Sequence, residues 1–404
     1  MKLLKNGKII DFKNNIFKDV NILIDNKKIV KILDINDKLP IIEDKNIIDC
    51  NGSIILYGFI NSQSYLLKNF YYKFFKENSL ENFEENYEKF KKNLTDEEKY
   101  YIYKYQMLNA IKNGVVTICD EDLFNLPLKK AVIETKLNFV YKLGLINSQS
   151  ELEESLINKL NNSGENFIFS LNSVLFNTEN NFNNMIKYSR KYNKPLLING
   201  SENLFTAGEI FKEFNYNNLI MLEKLGFLDG DNIINNSNVL EKDEYQILSE
   251  YNSKLIFSPS LNLNLSYKNA NIYALNKQNL VGLSSFNNDY ILELFLARNL
   301  EKDSYNTMEI FNDETLLNLA VLNNAKILGL KNMGEIKTDN FANLILINYN
   351  NIMSVNSFIK NLDNRDIKSV IINGELIYNN FHFVENKDYN KLETLCNSII
   401  KKLI

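Results

Sequence analysis

The chain has 404 residues, 45% hydrophobic and 24% charged, with a formal net charge of −4. That length supports two domains or one large barrel with an appendage, and the near-neutral balance argues against nucleic acid or an anionic membrane as the main partner. A single histidine, His382, excludes a zinc centre built from several imidazoles, and three widely spaced cysteines, Cys50, Cys119 and Cys396, argue against a disulfide framework or a thiolate zinc site.

The opening MKLLKNGKII lacks a long apolar core, and no apolar run approaches the ~20 residues that span a bilayer, so a cytoplasmic protein is expected. Residues 8–11, 20–25 and 28–33 alternate apolar and polar positions. Asn6-Gly7 and Asp25-Asn26 read as turns between them, which predicts a small antiparallel β unit. The aromatic segment Phe70-Tyr-Tyr-Lys-Phe-Phe75 reads as packing or as a lid. Thr95-Asp-Glu-Glu98 is a capping box opening a helix that carries Tyr101, Leu108 and Ile111 and stops at Asn113-Gly114. Residues 115–119 follow as a buried strand, with the acidic run Asp120-Glu-Asp122 read as a solvated loop or helix start and Cys119 as buried structure.

Further strands are predicted at 138–143, 167–171, 196–198, 233–234, 255–257 and 280–283, with helical stretches between them. Asparagine supplies 69 residues and lysine outnumbers arginine 43 to 3, a bias of composition; the Asn-rich stretch 161–184 reads as surface and loops of a folded domain. Asp289 is placed to cap a helix over 290–298. The last strands, 343–347, 369–372 and 375–378, include a hairpin at Asn373-Gly374. The expected fold is α/β: a (β/α)8 TIM-type barrel over 57–339, joined to a small discontinuous β-sandwich made from both termini, 1–56 and 340–404. Neither GxGxxG nor GxxxxGK[ST] occurs, so a phosphate-cradling loop is not expected.

In order and spacing, several segments resemble the amidohydrolase superfamily, in the branch of cytosine and S-adenosylhomocysteine deaminases and chlorohydrolases. They are Leu4-Lys-Asn-Gly-Lys-Ile-Ile10, Ile47-Ile-Asp-Cys-Asn-Gly52, Gly58-Phe-Ile-Asn61, Gly114-Val-Val-Thr117, Ser258-Pro-Ser-Leu-Asn-Leu263, Asn324-Ala-Lys-Ile-Leu-Gly329, Met333-Gly-Glu-Ile336 and Ala342-Asn-Leu344. The resemblance implies a barrel mouth that binds zinc or another divalent metal, whose bound hydroxide attacks a carbon–nitrogen bond. At the positions that match the family's ligands this chain has Gln63 and Tyr65 after strand one, Asn199 on strand five, Asn236 on strand six and Ser285 on strand eight. Glu202, matching the family's proton-handling glutamate, is present. Neutral amides are poor donors for zinc.

The expectation drawn from the sequence is therefore a homologue without metal-dependent hydrolysis and without a cofactor, acting as a non-catalytic partner of itself, as a dimer, or of an active relative. Two alternatives stay open. One is a binder of a polar small molecule such as a nucleobase, held by Gln63, Asn199, Asn236 and Ser285; the other is a family-type hydrolase or deaminase with an atypical site.

Overall fold

The computed structural model describes residues 1–75, 79–145, 152–348 and 354–403. The first alternating stretch forms β1 (Lys2–Asp11), β2 (Ile16–Asp25) and β3 (Lys28–Asp34), followed by β4 (Ile47–Asp49) and β5 (Ile54–Tyr57). Asn26 and Lys27, both at positive φ, turn β2 into β3 as expected. Asn6-Gly7 is not a turn: β1 runs through it, and the pairing with β2 shifts between Leu4 and Gly7 as a bulge. Asn6 reaches positive φ there while its N–H donates to Asn21 Oδ1 at 2.9 Å, so a side chain replaces the lost ladder bond.

The barrel follows: β6 (Phe59–Ser64), β7 (Val115–Leu123), β8 (Asn138–Gly144), β9 (Asn166–Leu171), β10 (Leu196–Asn199), β11 (Ile233–Asn235), β12 (Lys254–Phe257) and β13 (Leu280–Leu283). These eight strands pair in sequence order, each neighbouring pair from β6 to β13 parallel. Side chains close the seam between β13 and β6. Asn61 donates to Ser285 O at 2.8 Å and accepts from Ser285 N–H at 3.1 Å, and Asn324 Nδ2 lies 2.6 Å from both the Ile60 and Leu283 carbonyls. The Asn324 amide needs the space beside Gly282, where a Cβ would stand 2.1 Å from its Oδ1.

Helices join the strands. The relevant ones are α1 (Leu66–Tyr72), α2 (Leu80–Asn93), α3 (Asp96–Lys112), α4 (Leu204–Phe214), α5 (Tyr290–Tyr305) and the terminal α6 (Tyr389–Leu403). The capping box of α3 is formed by both of its bonds, and Asp289 caps α5 by accepting from Leu292 N–H at 2.9 Å. Residues 161–184 are more ordered than their composition implies. They include β9 and a helix, Glu179–Tyr192, that buries Phe182, Met185 and Ile186 at helical spacing.

β14 (Leu344–Ile347), β15 (Ile367–Ile372), β16 (Glu375–Asn379) and β17 (His382–Phe383) return to the first strands. Together they form one nine-stranded mixed sheet in which β14 pairs antiparallel with β5. Asn373 and Gly374 make the expected hairpin at positive φ. His382 lies on the exposed end strand of this sheet, outside the barrel. Among the described residues no helix is long and apolar enough to cross a membrane.

Candidate active site

The loops at the C-terminal ends of the parallel strands form the barrel mouth, where a barrel of this kind places its chemistry. Gln63, at the end of β6, is 1% exposed, and its Oε1 accepts a hydrogen bond from Lys142 Nζ on β8. Because only β7 stands between those two strands, the contact passes over β7, which the concave inner side of a barrel permits, so the lysine faces inward. Tyr65 follows β6, buried, and its hydroxyl accepts from Asn236 Nδ2 at 3.0 Å, just past β11. Asn199 Oδ1 accepts from Asn235 Nδ2 at 3.0 Å. Asn238 and Asn262 bond reciprocally at 2.9 and 3.1 Å.

Ser285 is placed differently from the sequence expectation. It is fully buried at the seam, with its hydroxyl accepting from Asp289 N–H at 3.0 Å and its N–H donating to Asn61. Its polar groups are engaged by the fold, as is the Gln63 carbonyl. The mouth nevertheless keeps unsatisfied groups: Asn235 Oδ1, Asn236 Oδ1, Ser237 Oγ and Ser258 Oγ are buried without a hydrogen-bond partner. Buried acceptors of this kind are costly unless a ligand or water completes them.

The acidic run after Cys119 is not a solvated loop. Residues 120–122 continue β7, with Asp120 and Asp122 only 1% and 5% exposed. They tolerate burial because each is provided with donors. Asp120 accepts from the N–H groups of Leu66 at 2.9 Å and of Asp122 at 3.1 Å, and Asp122 binds Lys91 of α2 and the Tyr103 hydroxyl of α3 at 2.8 Å. Burial, aided by the neighbouring Asp122, raises the Asp120 carboxyl well above its usual range. Glu121 pairs with Lys68 of α1 at 2.9 Å, and Lys68 also reaches Glu84 at 3.4 Å. The segment 70–75 packs: Tyr71 lies against Phe75, Phe83, Tyr87 and Phe90 with ring centroids 5.0–5.9 Å apart.

Glu202 sits between β10 and α4, where Asn203 caps the helix by accepting from Thr206 N–H at 2.9 Å. Burial of its carboxyl raises it from 4.5 to about 7, against the opposing pull of Lys68 and with help from Glu84 and Glu121. Burial raises the Tyr65 phenol well above its usual range and the Glu202 charge adds to the rise, so glutamate and tyrosine share one electrostatic environment. A carboxyl near neutrality is suited to take and return a proton. Across the mouth, Glu293 of α5 accepts from Ser260 N–H at 2.8 Å, and burial pushes it up to about 8. Lys142, Asn235 and Glu293 are missing from the residues predicted from sequence. For Lys142 the available signal was a lysine inside the apolar run 139–143.

A parallel barrel with polar side chains converging at its C-terminal mouth is completed by a mixed sheet from both termini. The model for the Amidohydrolase family matches residues 54–377, and the chain belongs to that family. Its relatives include a 5-methylthioadenosine/S-adenosylhomocysteine deaminase of Thermococcus kodakarensis, 24% identical over 65% of this chain and 64% of that protein. A 5'-deoxyadenosine deaminase of Methanobrevibacter smithii is 27% identical over 71% of this chain and 70% of that protein. Among solved structures, a zinc-bound adenosine deaminase of Xanthomonas campestris superposes with a TM-score of 0.86 at 14% identity, covering 99% of this chain and 98% of that one. The zinc complex of atrazine chlorohydrolase from Arthrobacter aurescens gives 0.84 at 16%, covering 99% and 100%.

These comparisons correct two expectations. Relatives named as deaminases overturn the reading of a homologue that has lost hydrolysis, and zinc in the two solved neighbours overturns the expectation that no cofactor goes with this chain. Loss of imidazoles is not by itself loss of reaction: a carboxyl raised to about 7 and a polar mouth are present here. The side chains at the matching positions do not by themselves fit zinc. They are amide, phenol and hydroxyl groups, and among the described residues no three His, Cys, Asp or Glu stand together as a metal site.

Proposed function

We propose that the chain is an aminohydrolase that removes an exocyclic amine, as ammonia, from an adenine-type base, using an atypical set of mouth residues. The observation that carries the reading is Glu202, a carboxyl raised to about 7 at the exit of strand five, facing the environment of Tyr65. The names of the curated relatives support the substrate class. In this reading Glu202 takes a proton from the attacking water as its oxygen bonds to the amine-bearing ring carbon. It then delivers that proton to the amine nitrogen, the C–N bond breaks and ammonia leaves, and the proton remaining on the added oxygen passes to the adjacent ring nitrogen, which leaves a ring carbonyl. The unsatisfied oxygens of Asn235 and Asn236 suit N–H donors of the base, and Tyr65, held by Asn236, walls the site.

The barrel, 57–339, is read as the catalytic unit and the terminal sheet as its support. The three cysteines, all unpaired and buried, accord with a reducing cytoplasm. The test is ammonia release from 5'-deoxyadenosine, 5'-methylthioadenosine, adenine and guanine, with and without added zinc. Turnover that Glu202→Gln abolishes is expected; absence of ammonia from every member of the panel would falsify the reading.

A further inference from the structure

Lys142 stands apart from the other lysines near the mouth. Lys68 pairs with Glu121 and Glu84, and Lys91 with Asp122. Lys142 is 2% exposed, deeper than either, yet among the described residues no carboxylate lies within ion-pair distance of it. Its hydrogen-bond partner is the neutral carbonyl of Gln63, one acceptor for an ammonium with three donors. The Cys119 thiol lies close enough to feel this charge. Burial pushes the thiol up to about 12 even so, which keeps it protonated and unable to serve as the counter-charge. Thr117, two residues earlier on the same face of β7, leaves its buried hydroxyl unpartnered. A buried ammonium without an anion is expensive, and proteins retain one where a ligand supplies the negative charge or a reaction develops it.

We propose that Lys142, held by Gln63 from the strand two places away, is an anion-binding group inside the barrel mouth. It would receive a carboxylate-like oxygen or a ligand atom that becomes negative during reaction. In its kinetic part the inference rests on the proposed aminohydrolase reading: as water adds to the ring carbon, electrons move onto a ring nitrogen, and the Lys142 ammonium stabilises that nitrogen.

Two measurements on the full chain test it, with Lys142→Met and Lys142→Arg as variants. The first is thermal unfolding in sodium formate against sodium chloride of equal concentration, formate being a carboxylate small enough for the lumen. Formate is expected to raise the melting temperature of the parent protein and of Lys142→Arg, and to leave that of Lys142→Met unchanged. An equal rise in parent and Lys142→Met, or no rise in the parent, overturns the inference. The second is ammonia release, where Lys142→Met is expected to lower kcat roughly 100-fold with KM changed by less than about threefold, and Lys142→Arg to recover part of the loss. A Lys142→Met protein as active as its parent, beside an inactive Glu202→Gln, overturns the role of Lys142 and leaves the aminohydrolase reading intact. A formate effect that depends on Lys142, in a protein that releases no ammonia, keeps the anion site and removes the proposed reaction.

Discussion

The two halves of the barrel mouth handle polarity in opposite ways. Around strands one to three the groups are charged, and most are matched: Asp122 with Lys91, Glu121 with Lys68, and Asp120 with two backbone N–H groups. Around strands five to eight they are mostly amides and hydroxyls, with Asn199 bonded to Asn235 and Asn238 to Asn262, and several oxygens left over. Burying a charge demands a specific partner, whereas burying an amide demands only some donor, so the neutral half can leave acceptors open to a ligand at a smaller cost than an unpaired buried charge would carry. Glu202 belongs to the second half by position and to the first by electrostatics, since Lys68, Glu84 and Glu121 all act on it.

The largest effect expected from this division is catalytic. Glu202→Gln should lower kcat/KM for ammonia release on the order of 10²–10⁴-fold, while Asn236→Ala should cost about tenfold, chiefly in KM. Equal losses would break the division between proton transfer and binding. With Glu202 acting as a base of pKa about 7, kcat/KM should rise with pH through that value and level off above it. Asp122→Ala comes next. It strands Lys91 and the Tyr103 hydroxyl, and should lower unfolding free energy by about 3 kcal/mol in urea titration.

Tyr65→Phe removes a single neutral bond from Asn236, for about 1 kcal/mol by the same titration. A Tyr65 loss as large as that of Asp122 would mean the amide half is as tightly specified as the charged one. A smaller effect concerns pH. Glu202 and Glu293 are raised from 4.5 to about 7 and about 8, so between those values the folded chain holds more protons than the unfolded one. Their contribution is therefore complete below about 4.5 and declines as pH rises to about 8. Glu293→Gln should flatten that decline in a series of melting curves.

Local signals were legible where a few adjacent residues set the backbone. Thr95 with Glu98 specified the start of α3, Asn373-Gly374 the last hairpin, and the alternation of apolar strands and helices the barrel itself. Gln63, Tyr65, Asn199, Asn236 and Ser285 were singled out only by the resemblance to a family, which says nothing of what surrounds them: Ser285 is engaged by the seam, and Gln63 by a lysine two strands away.

Sequence by itself thus determined the strand and helix order, because that depends on short-range periodicity and capping. Tertiary structure alone decided that Lys142 points inward, that Asp120 and Asp122 are buried with partners, and that Glu202 titrates near neutrality. Each of these depends on which distant segments meet when eight strands close into a barrel, and neither a side chain's desolvation nor its counter-charge is a property of the residue alone.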